Sequence, residues 1–485
     1  MGRILKILLI VLAGLVGIVV VAAAALLLFF DPNDYREEIA ARVEQATGRE
    51  VTIEGDLGLE IFPWLAVEVG RSSLGNAPGF GAEPFATFEQ ASLSVRLLPL
   101  ILRQEVAIGT ASLDSLVLNL TVAGDGSTNW QDLAAAETEP AGPEVEGGGP
   151  ASLDIGDLRV SNATINYRDQ AAGSAYAVTG LSLESGGITT GAPFDLHAEF
   201  DFAADPGELG GHVRIDGTST LGDEFASLAL ENLKVSGQLE GITGQAAEFV
   251  FDAPRMAVDM KAETVTVGEM KLGILGLQMA ANVQPFSYAG TPQPKMSLQV
   301  APFSLRELMQ AMGTEPPVTA DPAALGRVSF DAQAAVTETA IALTSLALKL
   351  DDTTLTGQLS LPTTEEGLLR FDLAADSIDL DRYMAPADAA PAETAATSTD
   401  DIEIPVDLIR SLQAEGKVTL DRATLSGMLF EEMELGLSSR NGKLRLHPIA
   451  ATLFEGTYSG DVRVDASKDT PSISADEKVE GVQLT

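Results

Sequence analysis

Apolar and polar residues alternate along most of the chain after Val51. The clearest stretch alternates Phe194, Leu196, Ala198, Phe200 and Phe202 with Asp195, His197, Glu199 and Asp201. The same period of two recurs around Leu233, Met256, Leu346, Leu355, Leu444 and Val462. This period predicts β-strands with one apolar and one polar face, as found in antiparallel meanders with one wet side. The pattern therefore predicts a mainly β protein with an extended, meandering antiparallel sheet.

Helical patterns are few and short. The segments 32–47, 129–136, 304–312 and 404–413 are predicted to be helices. In the first, Asp31 can cap the helix, Pro32 suits its first turn and Gly48 ends it. We expect this helix to lie against the sheet. Four short helices cannot cover so many strands, so the apolar faces either pack on each other as a sandwich or barrel, or form an open concavity. The pattern leaves both alternatives open.

The N-terminus has the pattern of a membrane anchor. After Arg3 and Lys6, the segment 7–30 is 24 residues long and uncharged. As a helix it is long enough to cross a bilayer of about 30 Å. A cleaved signal peptide is the alternative, since residues 22–25 are all alanine, but the apolar run continues beyond the usual length. The sequence thus predicts a short cytoplasmic stub and one transmembrane helix in residues 1–30, with the bulk of the chain on the far side.

Two segments have the composition of linkers. Residues 134–152 are rich in Ala, Glu, Pro and Gly, and residues 384–401 have the same character; both segments carry few large apolar side chains. They divide the chain into an α+β region at 31–133, a central β region at 153–383 and a C-terminal β region at 402–485.

Composition narrows the function classes. Seventy acidic against 30 basic residues give a formal net charge of −40, which disfavours nucleic-acid binding. The chain contains no cysteine and three histidines, His197, His212 and His447, all predicted to be exposed. The common phosphate-loop, zinc-protease, nucleophile-elbow and dinucleotide-binding motifs are absent from the sequence. We therefore expect no enzymatic activity and no cofactor or metal; an envelope hydrolase using paired carboxylates is a third hypothesis without support from residue spacing.

Several segments resemble the AsmA family of bacterial envelope proteins. At the N-terminal end these are DPNDYREEIAARVEQATGREVTIEGDLGLEIFPWLAVEVGRSSLGNAPGF (31–80), FATFEQASLSVRLLPLI (85–101) and GDGSTNWQDL (124–133). Farther on they are LALKLDDTTLTGQLSL (346–361), FDLAADSIDLDRYM (371–384) and LHPIAATLFEGTYSGDVRVD (446–465). The resemblance implies a periplasmic protein anchored in the inner membrane of a Gram-negative bacterium, with a role in outer-membrane assembly. Larger relatives are thought to carry phospholipid in β-rich grooves like bridge-type lipid transfer proteins. The family usually continues beyond residue 485, so this sequence resembles a shortened member.

The pattern and the resemblance together suggest two functions. The first is a non-enzymatic, membrane-anchored scaffold that carries or shields phospholipid or another envelope lipid in a hydrophobic β groove. The second is a closed β scaffold that binds outer-membrane assembly proteins or regulates protein targeting to the membrane. The candidate groove lining comprises Phe194, Leu196, Phe200, Leu233, Val235, Met256, Val258 and Met260.

Overall fold

The computed structural model describes residues 31–60, 64–96, 108–136, 154–207, 209–364, 367–386, 406–468 and 470–482. The predicted transmembrane segment at 7–30 lies outside these residues, as do most of the two predicted linkers. Among the helices that are described, none combines the length and the apolar character needed to cross a bilayer.

The chain divides into two units, Met1–Ala246 and Ala247–Thr485, and strands dominate both. The strands of the first unit are β1 Val51–Ile53, β2 Leu57–Glu60, β3 Trp64–Val69, β4 Ser72–Leu74, β5 Ala86–Phe88, β6 Gln90–Arg96, β7 Ile108–Asp114, β8 Val117–Val122, β9 Asp154–Asp169, β10 Ser174–Ser185, β11 Ile188–Thr189, β12 Pro193–Asp205, β13 Gly210–Leu221 and β14 Ser227–Glu240. The mainly β prediction is confirmed.

The second unit contains β15 to β29. They are β15 Ala247–Asp259, β16 Thr264–Val267, β17 Glu269–Ile274, β18 Leu277–Val283, β19 Phe286–Ser287, β20 Lys295–Phe303, β21 Val328–Val336, β22 Ala340–Leu350, β23 Thr353–Pro362, β24 Leu369–Asp379, β25 Ala414–Leu425, β26 Met428–Arg440, β27 Lys443–Leu453, β28 Gly456–Asp465 and β29 Ser472–Glu480.

Most neighbouring strands are antiparallel, but the sheets are mixed. In the first unit β9 pairs in parallel with β7 and β8, and in the second unit β24 pairs in parallel with β25. Parallel neighbours require a crossover of a dozen or more residues, whereas antiparallel neighbours need only a short turn. The long connections from β8 to β9 and from β24 to β25 contain the two predicted linkers. The predicted antiparallel meander therefore holds for most of the strands, and these parallel pairings are the exceptions to it.

The first helix follows the capping expected from sequence. Asp31 accepts a hydrogen bond of 2.9 Å from the backbone N–H of Asn33, and a 3₁₀ turn, Pro32–Tyr35, leads into α1, Arg36–Thr47. Gly48 ends the helix with a φ of 69°, a conformation that glycine adopts without strain. Its apolar stripe, Tyr35, Ile39 and Val43, remains 39–47% exposed. The expectation that this helix lies against the sheet is confirmed by its contact with β1, although the stripe itself is not buried.

Three further α-helices are described: α2 Gln131–Ala136, α3 Leu305–Ala311 and α4 Val406–Ser411. Each lies within a segment predicted to be helical. Ser304 caps α3 by accepting a hydrogen bond from the N–H of Glu307. Ile409 of α4 is buried in a small core with Val464 and Ala466. The remaining 3₁₀ turns are Asp223–Phe225 and Leu380–Arg382.

Candidate functional site

The eight candidate lining residues fall in both units. Phe194, Leu196 and Phe200 lie on β12 and Leu233 and Val235 on β14, with β13 between these two strands. Met256 and Val258 lie on β15 of the second unit. Met260 follows the end of β15 and is 53% exposed. The structure thus brings five of the eight together in the first unit, and the other three belong to the second.

Strand register joins these positions into a much longer apolar surface. Residues that pair across neighbouring strands project from the same side of a sheet. Two series of paired residues cross β2, β3, β6, β7, β9, β10, β12, β13 and β14 in this order. We call them row one and row two, and the side that carries them the apolar face. At about 4.8 Å per strand, nine strands extend over about 40 Å.

Row one comprises Leu59, Val67, Leu93, Ala111, Leu158, Ser185, Leu196, Gly217 and Leu233. Row two comprises Leu57, Val69, Ala91, Leu113, Val160, Leu183, Ala198, Ile215 and Val235. Row one has no side chain at Gly217, and the Cα of Leu233 lies 3.5 Å from the position that a Cβ would take there. Ser185 is the single polar residue in these two rows, so the surface suits hydrocarbon.

Left-handed residues inside strands keep this surface apolar. In β9 the apolar positions step by three from Val160 to Ala163, and in β14 they step by three from Leu230 to Leu233. A regular strand would turn the next apolar side chains to the polar side. Asn162 and Asn232 are the last residues skipped in these steps, directly before Ala163 and Leu233, and each has a φ of 53°. The extra residue forms a bulge that returns the alternation to the apolar face.

The second unit carries its own apolar face. A series that we call row three crosses ten strands, from β15 through β17, β18 and β20 to β26, with β24 and β25 paired in parallel. It comprises Phe251, Leu272, Met279, Val300, Phe330, Leu348, Leu355, Ala375, Leu420 and Met433. Every member is apolar.

These faces are half-buried. Within the described residues, the largest side chains that are less than 2% exposed are Arg49, Asn129 and Ser439, and none of these is a large apolar residue. In row one, Val67 and Leu93 are each 46% exposed. A closed sandwich would bury its Leu, Val and Phe side chains almost completely. The observed burial favours the open alternative.

The opposite side of β12 and β13 is polar and charged. His197 pairs with Asp216, Glu199 with Arg214, and Asp201 with His212. Arg214 donates hydrogen bonds of 2.7 and 3.1 Å to Glu199. The hydrogen bonds from Arg214, and then its positive charge, lower the pKa of Glu199. The same hydrogen bonds, and then the negative charge of Glu199, raise the pKa of Arg214. These exposed ion pairs form a hydrated outer side to the apolar face.

The three histidines are not arranged as a metal site or as a catalytic site. Two of them, His197 and His212, approach Glu199 at 4.0 and 3.3 Å on the exposed polar side, while His447 lies 3.9 Å from Asp461. Across the part of the chain that the structure describes, no group of three or more His, Cys, Asp or Glu residues is arranged to hold a metal ion. The expectations that the protein has no enzymatic activity and no cofactor remain predictions.

The architecture is that of a β-sheet protein with long, half-exposed apolar faces. The AsmA family model matches residues 1–287 and 291–485, so the chain belongs to the AsmA family. Protein AsmA of Escherichia coli strain K12 is 26% identical over 156 residues, which are 32% of this chain and 25% of that protein. No solved structure matches. Membership in this family supports an envelope-associated function.

Proposed function

We propose that this protein is a non-enzymatic holder and carrier of phospholipid acyl chains that supports outer-membrane biogenesis. The observation that carries the proposal is the continuous, half-exposed apolar face formed by rows one and two. The segment 7–30 would anchor the chain in the bacterial inner membrane, and the bulk of the protein would lie in the periplasm. Row three would provide a second acyl-chain surface in the second unit.

The energetics of hydrocarbon burial support this proposal. Each methylene group transferred from water to an apolar surface contributes about 0.8 kcal/mol, without a directional contact. Rows one and two offer mainly leucine, valine, isoleucine and alanine positions in succession, so an acyl chain can bind in several positions along them. Binding of this kind requires no catalytic residue. It also accommodates acyl chains of different length.

The two sides of the sheet formed by β12 and β13 differ in charge. The carboxylates of Glu199, Asp201 and Asp216 lie on the polar side, where Arg214 forms an ion pair with Glu199. The net charge of −40 opposes flat adsorption of this side to an anionic bilayer. Lipid would therefore meet the protein on the apolar face.

A photocrosslinking experiment tests the proposal directly. Benzoylphenylalanine is placed at Val235, in row two, or at Gln238, an exposed position on the polar side of the same strand. The full-length protein is irradiated in Gram-negative cells grown with radiolabelled phosphate. We expect labelled phospholipid on the protein with the probe at Val235 and background labelling with the probe at Gln238. Equal labelling at the two positions contradicts the proposal.

A charge placed on the apolar face should block binding. Leu196→Asp lies in row one near the probe at Val235, and we expect it to lower crosslinking about tenfold, because a carboxylate beside hydrocarbon costs more than about 1.4 kcal/mol. Gln238→Asp adds the same charge on the polar side and serves as the matched control. Accumulation and protease resistance of both variants report folding, and Leu196→Asn provides an uncharged polar variant. If all three leave crosslinking unchanged, the closed scaffold that binds envelope proteins becomes the better explanation.

A further inference from the structure

An apolar pocket opens between α1 and the first strands of the apolar face. It has a volume of about 410 Å³, and its apolar lining includes Tyr35 at the end of the 3₁₀ turn, Ile39 of α1, Leu59 of β2 and Val67 of β3. Leu59 and Val67 are also the first two members of row one. The pocket is therefore continuous with the apolar face, and α1 forms its outer wall.

The charged groups at this pocket are one acid and one base. Glu38 and Arg42 both line it, and Arg42 Nη2 lies 3.2 Å from Glu38 Oε1. They are 60% and 78% exposed, so both can reach a ligand at the mouth of the pocket. A guanidinium suits a phosphate, and a carboxylate suits an ammonium group. The pair thus presents the charge pattern complementary to a zwitterionic head group.

We propose that this pocket seats a phospholipid with a zwitterionic head group, such as a phosphatidylethanolamine. One acyl chain lies among Tyr35, Ile39, Leu59 and Val67, the phosphate meets Arg42, and the ammonium group meets Glu38. The proposal rests on the proposed function, since it gives head-group selectivity to the beginning of row one. The lipid enters row one from this pocket by sliding its acyl chain from Val67 toward Leu93.

The apolar lining explains why a lipid, rather than a small polar ligand, fits. Tyr35, Ile39 and Val67 are 47%, 41% and 46% exposed, so hydrocarbon at this position removes a large apolar surface from water. Phosphatidylglycerol shares the phosphate but lacks the ammonium group. Its approach to Glu38 brings no compensating attraction, so it binds less well than phosphatidylethanolamine.

The test measures the head group that is captured at the pocket. Full-length protein carrying benzoylphenylalanine at Tyr35 is reconstituted into vesicles of equal parts phosphatidylethanolamine and phosphatidylglycerol, and the crosslinked lipids are identified by mass spectrometry. We expect phosphatidylethanolamine to be enriched about two- to fivefold over its share in the vesicles, the ratio that an exposed ion pair supports. Glu38→Gln should return the ratio to that of the vesicles. Arg42→Gln should lower the yield for both lipids.

A matched variant and a second probe position separate the possible failures. Glu37→Gln removes one negative charge from an exposed position of α1 outside the pocket, and it should leave the ratio unchanged. A ratio at Tyr35 equal to that of the vesicles, or one insensitive to Glu38→Gln, overturns the head-group proposal. Crosslinking at Val235 in the same vesicles shows whether the apolar face holds lipid. If lipid does not crosslink at Val235, the proposed function is overturned as well.

Discussion

At the scale of single residues, Arg49 fixes the end of α1 to a distant part of the chain. Its side chain is fully buried, its Nη2 donates 2.6 Å to the carbonyl oxygen of Asn129, and its Nε donates 3.0 Å to Asp132. The guanidinium also lies 4.6 Å from the ring centre of Phe85. The sequence predicted the helix end at Gly48 but not this contact, because local patterns carry no information about partners about 80 residues apart.

We predict that Arg49→Lys loosens α2 and the chain before it. A lysine ammonium is a compact point charge and lacks the planar fork of donors with which Arg49 reaches Asn129 and Asp132 together, so local stability should fall by about 1–3 kcal/mol. Hydrogen–deuterium exchange of peptides covering 124–136 should then accelerate roughly tenfold. Arg42→Lys, which alters an exposed pair within α1, is the control and should leave these peptides unchanged. Equal behaviour of the two variants would show that the buried guanidinium adds nothing.

At the scale of elements, bulges explain why the sequence pattern looked interrupted. Alternation identified Leu346, Leu348 and Leu350 as one run, but it did not connect them with Ile341 and Leu343 earlier in β22. Ser345 has a φ of 51° and directly precedes Leu346, where the pairing of β22 with β23 shifts. The sequence signal for such a bulge was a step of three between apolar positions, with Ser, Asn or Gly directly before the second apolar residue. The strands were predictable because each run of alternation is local. The continuous apolar face was not, because the bulges divide the alternation into separate runs.

This interpretation predicts different effects of two substitutions at Ser345. Ser345→Val places a β-branched residue at a positive φ and should lower the free energy of unfolding by about 1–2 kcal/mol. Ser345→Gly relieves the strain, at a similar entropic cost, and should be close to neutral. Thr344→Val, at the preceding exposed position, should change stability by less than about 0.5 kcal/mol. Urea unfolding followed by circular dichroism measures all three; a neutral Ser345→Val would refute the strained bulge.

At the scale of the whole molecule, the sequence identified the class of fold but not the pairing and register of its strands. Composition and period two indicated strands and scarce helices, because these depend on local preference and on the polarity of each position. The two linkers also mark the parallel pairings, since a parallel neighbour requires a long crossover. Rows one to three depend on which strands pair and on where each bulge falls. That information is distributed over pairings between distant segments. The sequence therefore predicted eight lining residues as one set, and the structure places only five of them together in the first unit.

If the apolar face of each unit holds acyl chains, as proposed, the full-length protein should bind more than one lipid per chain. Leu196 belongs to row one in the first unit and Leu348 to row three in the second. Because these rows do not share residues, Leu196→Asp and Leu348→Asp should each remove part of the phospholipid that purifies with the full-length protein, and the double variant should remove the sum. Native mass spectrometry of the gently purified protein counts the bound lipids. Polar-side controls, Gln238→Asp and Lys349→Asp, should keep the full number. Complete loss of lipid from either single variant would show that the two faces fill as one cooperative surface.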